Sequence, residues 1–239
     1  MLTRFFVVLI TSVLFAGCTL FRPATVEEEK VPLEYPGPDT EIASLLDAHR
    51  SQLNRLMNVE IATVKDTLRF GKPESVLGNL VSDAIRSRAA NELGAYVNMG
   101  IIGESSFKLF FEPGRLTLGE MYEFMPYENH LVVLTLEGQR VTELINQVAE
   151  IGGAPVSGVR FRIDNENTAK GVLVNSEVIE PHKKYRVATS SWAADGGDVF
   201  PALWEAEERV DLNISVRDVF VDYFRGKSEI YDITDGRIR

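Results

Sequence analysis

One cysteine, Cys18, stands in the 239 residues, so no disulfide can form within the chain and no cysteine cluster can hold zinc. Histidine is almost as scarce. His49, His130 and His182 lie far apart, and none sits in a His-Glu-x-x-His or Asp-x-His pattern, which leaves a zinc or dinuclear centre without an obvious ligand set. His130 and His182 lack the carboxylate motif a serine triad needs, and His49, alone on a helix, reads as structural. The Gly-x-Gly-x-x-Gly and phosphate-loop patterns are missing as well. Positive charge is in deficit, with 25 Lys and Arg against 35 Asp and Glu and a net charge of −10. A polyphosphate backbone is bound by clustered cations, so nucleic acid is excluded as a partner, whereas a small anionic ligand is not. These absences argue against a hydrolase that works unaided.

The rest is ordinary for a globular protein: 45% hydrophobic and 25% charged residues, no repeat, and enough length to bury a core without disulfides. The N-terminus is different. Arg4 precedes a run from Phe5 to Ala16 that is apolar apart from Thr11 and Ser12, too short to span a membrane but long enough for an export signal. Leu14-Phe15-Ala16-Gly17-Cys18 resembles the bacterial lipobox, in which the cysteine is lipidated and becomes the mature N-terminus. Several acyl chains on one cysteine would anchor the protein to a membrane. Thr19 stands where inner-membrane retention would call for Asp, so in a Gram-negative cell the periplasmic face of the outer membrane is expected. Residues 18–39, with Pro23, Pro32, Pro36, Pro38 and Glu27-Glu28-Glu29, read as a solvated tether. The expected organisation is a signal peptide over 1–17, the acylated cysteine and tether over 18–39, and one folded domain over 40–239.

Within that domain, Asp39 or Thr40 can cap a helix carrying Ile42, Leu45, Leu46, Leu53 and Leu56. Helical spacing returns from Glu74 to about Leu93, over Glu137–Ile151, and over Val216–Phe224, which precedes a polar tail. Strands are expected at Ala95–Ile102, Phe107–Phe111, Leu131–Leu136, Val159–Ile163, Val172–Val174 and Tyr185–Thr189. Helices and strands interleave without the regular alternation of a doubly wound sheet, so the fold class is α+β.

Four segments in this order carry a resemblance: Glu74–Ala84, Val97–Ile102, Met125-Pro126-Tyr127-Glu128-Asn129-His130-Leu131, and Tyr185–Asp198 with its Trp192-Ala193-Ala194-Asp195-Gly196-Gly197-Asp198 ending. Together they resemble the C-terminal, substrate-binding domain of 5′-nucleotidases, the family that includes UDP-sugar hydrolase. The resemblance implies a layered α/β/β/α domain with mixed sheets that grips a nucleoside. It also implies that the metal-bearing phosphoesterase domain is absent here, so this chain holds no cofactor and a separate chain would supply cleavage. By the same resemblance, Tyr127 and Trp192 sandwich the base, each stacking contact giving on the order of 1–3 kcal/mol. Asn98 and Gly100 belong to the family's glycine-rich loop. Asn129 offers a donor and an acceptor to a base edge, Asp198 accepts from ribose hydroxyls, and Gly196 and Gly197 let the backbone approach the ligand.

Three departures bear on the ligand. Met99 and Ile101 replace glycines of that loop, Gly103 stands at its arginine position, and Glu128 replaces a glycine beside the ring. A fixed charge-assisted donor is lost and negative charge is added, with Lys108 or Arg115 as the only nearby substitutes. These changes point to a neutral nucleoside, a weakly held ligand or a drifted site. Three readings follow: the binding subunit of a split nucleotidase, a lipoprotein that holds nucleosides without cleaving them, and a structural lipoprotein whose pocket has decayed.

Overall fold

The computed structural model describes residues 40–239 apart from Leu109. The signal and tether, with Cys18, lie outside the described residues. The chain divides into two compact units, 1–45 and 46–239, and the sheets and cores all belong to the second. Helix α1 (Thr40–Met57) leads into it and keeps Leu46, Leu53 and Leu56 about half exposed.

A five-stranded mixed sheet organises the body. Its order is β10 (Glu208–Ser215), β4 (His130–Glu137), β9 (Lys184–Ser190), β2 (Met99–Ile101) and β5 (Val156–Ser157). Strand β4 is the near-continuous apolar run Leu131–Leu136, the pattern of a strand buried on both faces. Its pleat sends Leu131 and Val133 into one core and Val132, Leu134 and Leu136 into another. Helix α2 (Val76–Leu93) and helix α6 (Val216–Arg225) fill the first core, and α4 (Gly138–Glu150) fills the second with Val141, Leu144, Ile145 and Val148 at helical spacing. Two three-stranded sheets complete the layers. One has the order β11 (Glu229–Ile230), β1 (Glu60–Val64), β3 (Gly114–Thr117), and the other β6 (Val159–Ile163), β7 (Ala169–Val174), β8 (Glu177–Val178). The fold is therefore the mixed α/β arrangement with several sheets that the sequence led us to expect.

Local expectations were met unevenly. Helix α2 begins at Val76 because Ser75 caps it, its hydroxyl accepting from the Gly78 N–H at 3.1 Å. The strand expected over Ala95–Ile102 shrinks to β2. No strand forms among the described residues of 107–111: a 3₁₀ turn (Glu104–Ser106) precedes them, and Phe111 makes only an isolated bridge to Leu68. The reason is packing, since Phe107 stacks between Phe70 and Phe124 at centroid distances of 4.8 and 4.7 Å, and Phe111 also packs on Phe124. Helix α3 (Leu118–Phe124), which supplies Phe124, starts from a capping box in which Thr117 and Glu120 satisfy each other's backbone N–H groups.

The polar tail is part of the fold. Glu74 accepts the main-chain N–H groups of Asp235, Gly236 and Ile238 at 3.1–3.2 Å, and Ile238 bridges β6 at Phe161. Between them Arg237 is buried, gripping Asp83 with two contacts at 3.0 and 3.1 Å and Asp235 with two at 3.0 and 2.7 Å. Its last donor reaches the Val156 carbonyl at 2.8 Å.

Candidate functional site

Strand register decides which loops meet. Strands β4 and β9 are antiparallel, with Leu131 opposite Ser190, so the turn before β4 and the turn after β9 emerge at the same end of the sheet. Strand β2 is parallel to β9, so the loop that leaves it emerges there too. Tyr127 lies on the first of these turns, Trp192 on the second and Ser105–Ser106 on the third. Together with Asn129 and Gly197 they line one open cleft of about 220 Å³.

Each ring is held from behind. Arg217, at the start of α6, donates to the Met125 and Tyr127 carbonyls at 2.9 and 3.1 Å and so fixes the turn that carries Tyr127. Asn129 is anchored through its carbonyl, which accepts the Val216 N–H at 2.9 Å. On the other side, short helix α5 (Ser191–Ala194) starts at Ser190, whose hydroxyl accepts the Ala193 N–H, and the Ser191 hydroxyl accepts the His130 N–H at 3.0 Å. The Trp192 indole lies flat over Gly197, where a Cβ would overlap the ring. Gly196, at φ +90°, completes the turn beside Trp204. Both rings remain open to solvent, Tyr127 at 44% and Trp192 at 50%.

Asp198 stands one residue beyond the cleft wall, in an adjoining cavity of about 150 Å³ that shares Ser105 with it. The residue is only 8% exposed. Its carboxylate packs on Gly103, where any side chain would collide with it, and Oδ1 accepts the Val199 N–H at 2.9 Å. Oδ2 has no partner among the described residues, and neither has the buried Ser106 hydroxyl. Burial pushes the Asp198 carboxyl above the ordinary carboxylate range, more than the N–H groups of Val199 and Gly103 lower it. Glu104 and Lys72 line the same cavity. Burial raises the Glu104 carboxyl also, with Lys72 pulling it partly back.

The structure thus brings Tyr127, Trp192, Asn129, Gly197 and Asp198 to one end of the sheet, with Gly196 in the same turn. It does not bring Asn98 or Gly100 there. Parallel pairing of β2 with β9 puts Asn98 beside the beginning of β9, where its side chain accepts the Arg186 N–H at 2.8 Å and its carbonyl accepts from Asn175. Gly100 faces the Ser82 carbonyl of α2, so its missing side chain serves helix–sheet packing. The substitutes considered for the absent arginine are also engaged: Arg115 pairs with Glu60 at 2.8 Å, and Lys108 lies 5.2 Å over the Tyr127 ring. Sequence reasoning missed Ser105, Ser106, Glu104 and Lys72, which have no motif of their own. Among the described residues no three His, Cys, Asp or Glu side chains gather closely enough to hold a metal ion, and no helix is long and apolar enough to cross a membrane.

Comparison with known proteins agrees with this geometry. The chain is 25% identical over 228 residues to the trifunctional nucleotide phosphoesterase protein YfkN of Bacillus subtilis, covering 86% of this chain and 15% of that protein. It is 25% identical over 219 residues to a 5′-nucleotidase of Vibrio parahaemolyticus, covering 88% and 36%. Among solved structures, a 5′-nucleotidase precursor from Thermus thermophilus superposes with a TM-score of 0.70 at 27% identity, over 85% of this chain and 44% of that one. The chain thus spans less than half the length of each of these relatives. The family described as "5′-nucleotidase, C-terminal domain" matches residues 58–205, which hold both rings and the Gly-Gly-Asp turn. The protein belongs to the 5′-nucleotidase C-terminal domain family.

Proposed function

We propose that this chain is the nucleoside- or nucleotide-binding part of a 5′-nucleotidase-type hydrolase, and that a separate chain supplies the metallophosphoesterase domain. The observation that carries the reading is the open cleft of about 220 Å³ between two half-exposed aromatic rings, held at fixed positions by Arg217, Ser190 and Gly197. A planar base fits between such rings, and each stacking contact gives about 1–3 kcal/mol. The buried Asp198 Oδ2 next to the cleft supports a hydroxyl-bearing ligand, because it can only accept. That the cleft is open, and not filled by side chains, supports this reading over a decayed pocket.

In the same reading, Cys18 carries the lipid that holds the domain on the envelope, at the periplasmic face of the outer membrane. Replacing Cys18 by Ser should move the protein from the membrane fraction to the soluble one.

The binding test is a titration of the metal-free chain with adenosine, AMP and UDP-glucose, followed by tryptophan fluorescence. Saturable quenching is expected with at least one of them. Trp192→Ala should cost about tenfold or more in affinity with an unchanged unfolding midpoint. Equal affinity in the variant, or a flat titration with all three, would remove the base clamp. Phosphate release is expected only after a chain bearing the metal domain is added.

A further inference from the structure

We propose that this cleft takes the uncharged nucleoside in preference to its phosphorylated form, and that Glu104 is the residue that turns the phosphate away. The inference rests on the base-clamp reading and narrows its ligand to the nucleoside, so that the cleft holds the dephosphorylated product rather than capturing the phosphorylated substrate.

The cavity next to the rings shares Ser105 with the cleft, and its Asp198 directly follows Gly197 of the cleft wall. In this proposal the sugar of a base held by Tyr127 and Trp192 extends toward the cavity walls. Those walls carry two carboxylates, Glu104 and Asp198, and one ammonium, Lys72. The ammonium already donates to the Ile151 carbonyl. Two other cations lie near the rings, Arg217 donating to two carbonyls and Lys108 over the face of Tyr127, and neither lines the cavity that holds Glu104 and Asp198.

Hydrogen-bond inventory leads the same way. Asp198 Oδ2 is buried, accepts nothing from the described residues and can only accept. A ribose hydroxyl donates. A phosphomonoester near neutral pH presents mainly acceptor oxygens and at least one negative charge, so it can satisfy neither carboxylate and is repelled by both. Burial raises both carboxyls, and Lys72 pulls only Glu104 partly back. Gly103 is what permits the arrangement, since a longer side chain there would displace Asp198.

The test compares adenosine with AMP, each titrated into the full chain by tryptophan fluorescence at about 0.05 M and about 0.5 M salt. At low salt adenosine should bind at least about tenfold more tightly than AMP, and the gap should narrow at high salt because its origin is Coulombic. Glu104→Gln should raise the affinity for AMP relative to adenosine several-fold, and Glu104→Lys should raise it further. AMP binding as tightly as adenosine would overturn the selectivity while leaving the clamp standing. A gap indifferent to salt and to both substitutions would overturn the role of Glu104, since the exclusion would then be steric. Silence with both ligands would remove the clamp itself, and this inference with it. The salt comparison needs no variant, so a poorly folding Glu104 substitution leaves the proposal open to refutation.

Discussion

Arg237 and Asp198 are equally buried, at 8% exposure each, yet their surroundings are opposite. Arg237 lies between two carboxylates that together take four of its contacts, and a carbonyl takes another. Asp198 accepts the Val199 N–H through one oxygen, the Gly103 N–H lowers the carboxyl only partly, and Oδ2 has no hydrogen-bond partner in the described chain. A buried charge is costly unless it is paired and hydrogen-bonded. In the first region the fold meets that cost with its own residues, and the result is a strap across α2, β5 and β6. In the second the cost is left standing beside an open cleft, where an outside donor can meet it. The same residue chemistry thus marks architecture where it is satisfied and a site where it is not.

The comparison can be broken most severely at the satisfied end. Arg237→Met takes from Asp83 and Asp235 the cation they share and should lower stability by about 3 kcal/mol, read by urea denaturation. A loss below about 1 kcal/mol would mean that the strap contributes little. Next in size is Gly197→Ala. The new methyl must push the Trp192 indole aside, and because that ring is half exposed it can swing outward. The effect should fall on the site, with adenosine affinity down about tenfold and stability down by less than about 1 kcal/mol. An unchanged affinity would show that the ring's position over the turn is irrelevant to binding.

The smallest effect concerns pH, and here the two regions should respond with opposite sign. Arg237 beside Asp235 holds that carboxyl below the ordinary range, so its contribution is present near neutral pH and is lost as pH falls through the folded value. Asp198 is raised by burial, so the folded state binds its proton first and stability rises as pH falls through the window above the ordinary carboxylate range. Asp235→Asn should therefore flatten the loss of stability on acidification, and Asp198→Asn should steepen it. Denaturation midpoints measured between about pH 2 and 7 would check both, with the Asp235 effect below the ordinary carboxylate range and the Asp198 effect above it, and slopes of the same sign would contradict the assignment.

Legibility in the sequence followed the range of the interactions. Helices α2, α4 and α6 and strands β4 and β9 were readable because their apolar spacing is local and strong. Strand β10 carries the alternation Val210, Leu212, Ile214 and α3 carries Thr117 and Glu120 at capping-box spacing, so both had a local signal that the expected elements left out. Arg237 had none, since Asp83 lies 154 residues away along the chain. In the cleft, Tyr127, Asn129, Trp192, Gly197 and Asp198 were found by resemblance, whereas Asn98 and Gly100 were carried over from the same motif to a place the register of β2 does not allow. Glu104 and Ser106 become visible only in three dimensions, where the loop after β2 turns back over the Gly-Gly-Asp segment.

That three loops leave one end of the central sheet has a consequence for how this domain can diverge. The ladder that aligns them is built from main-chain bonds between β2, β4 and β9, which are indifferent to what the loops contain. The exposed positions of these turns, such as Ser105, Tyr127, Glu128 and Trp192, can therefore change by mutation while the scaffold that points them at one another stays the same. Ligand preference in such a domain is a property of its turns, and inheriting the scaffold does not mean inheriting the preference.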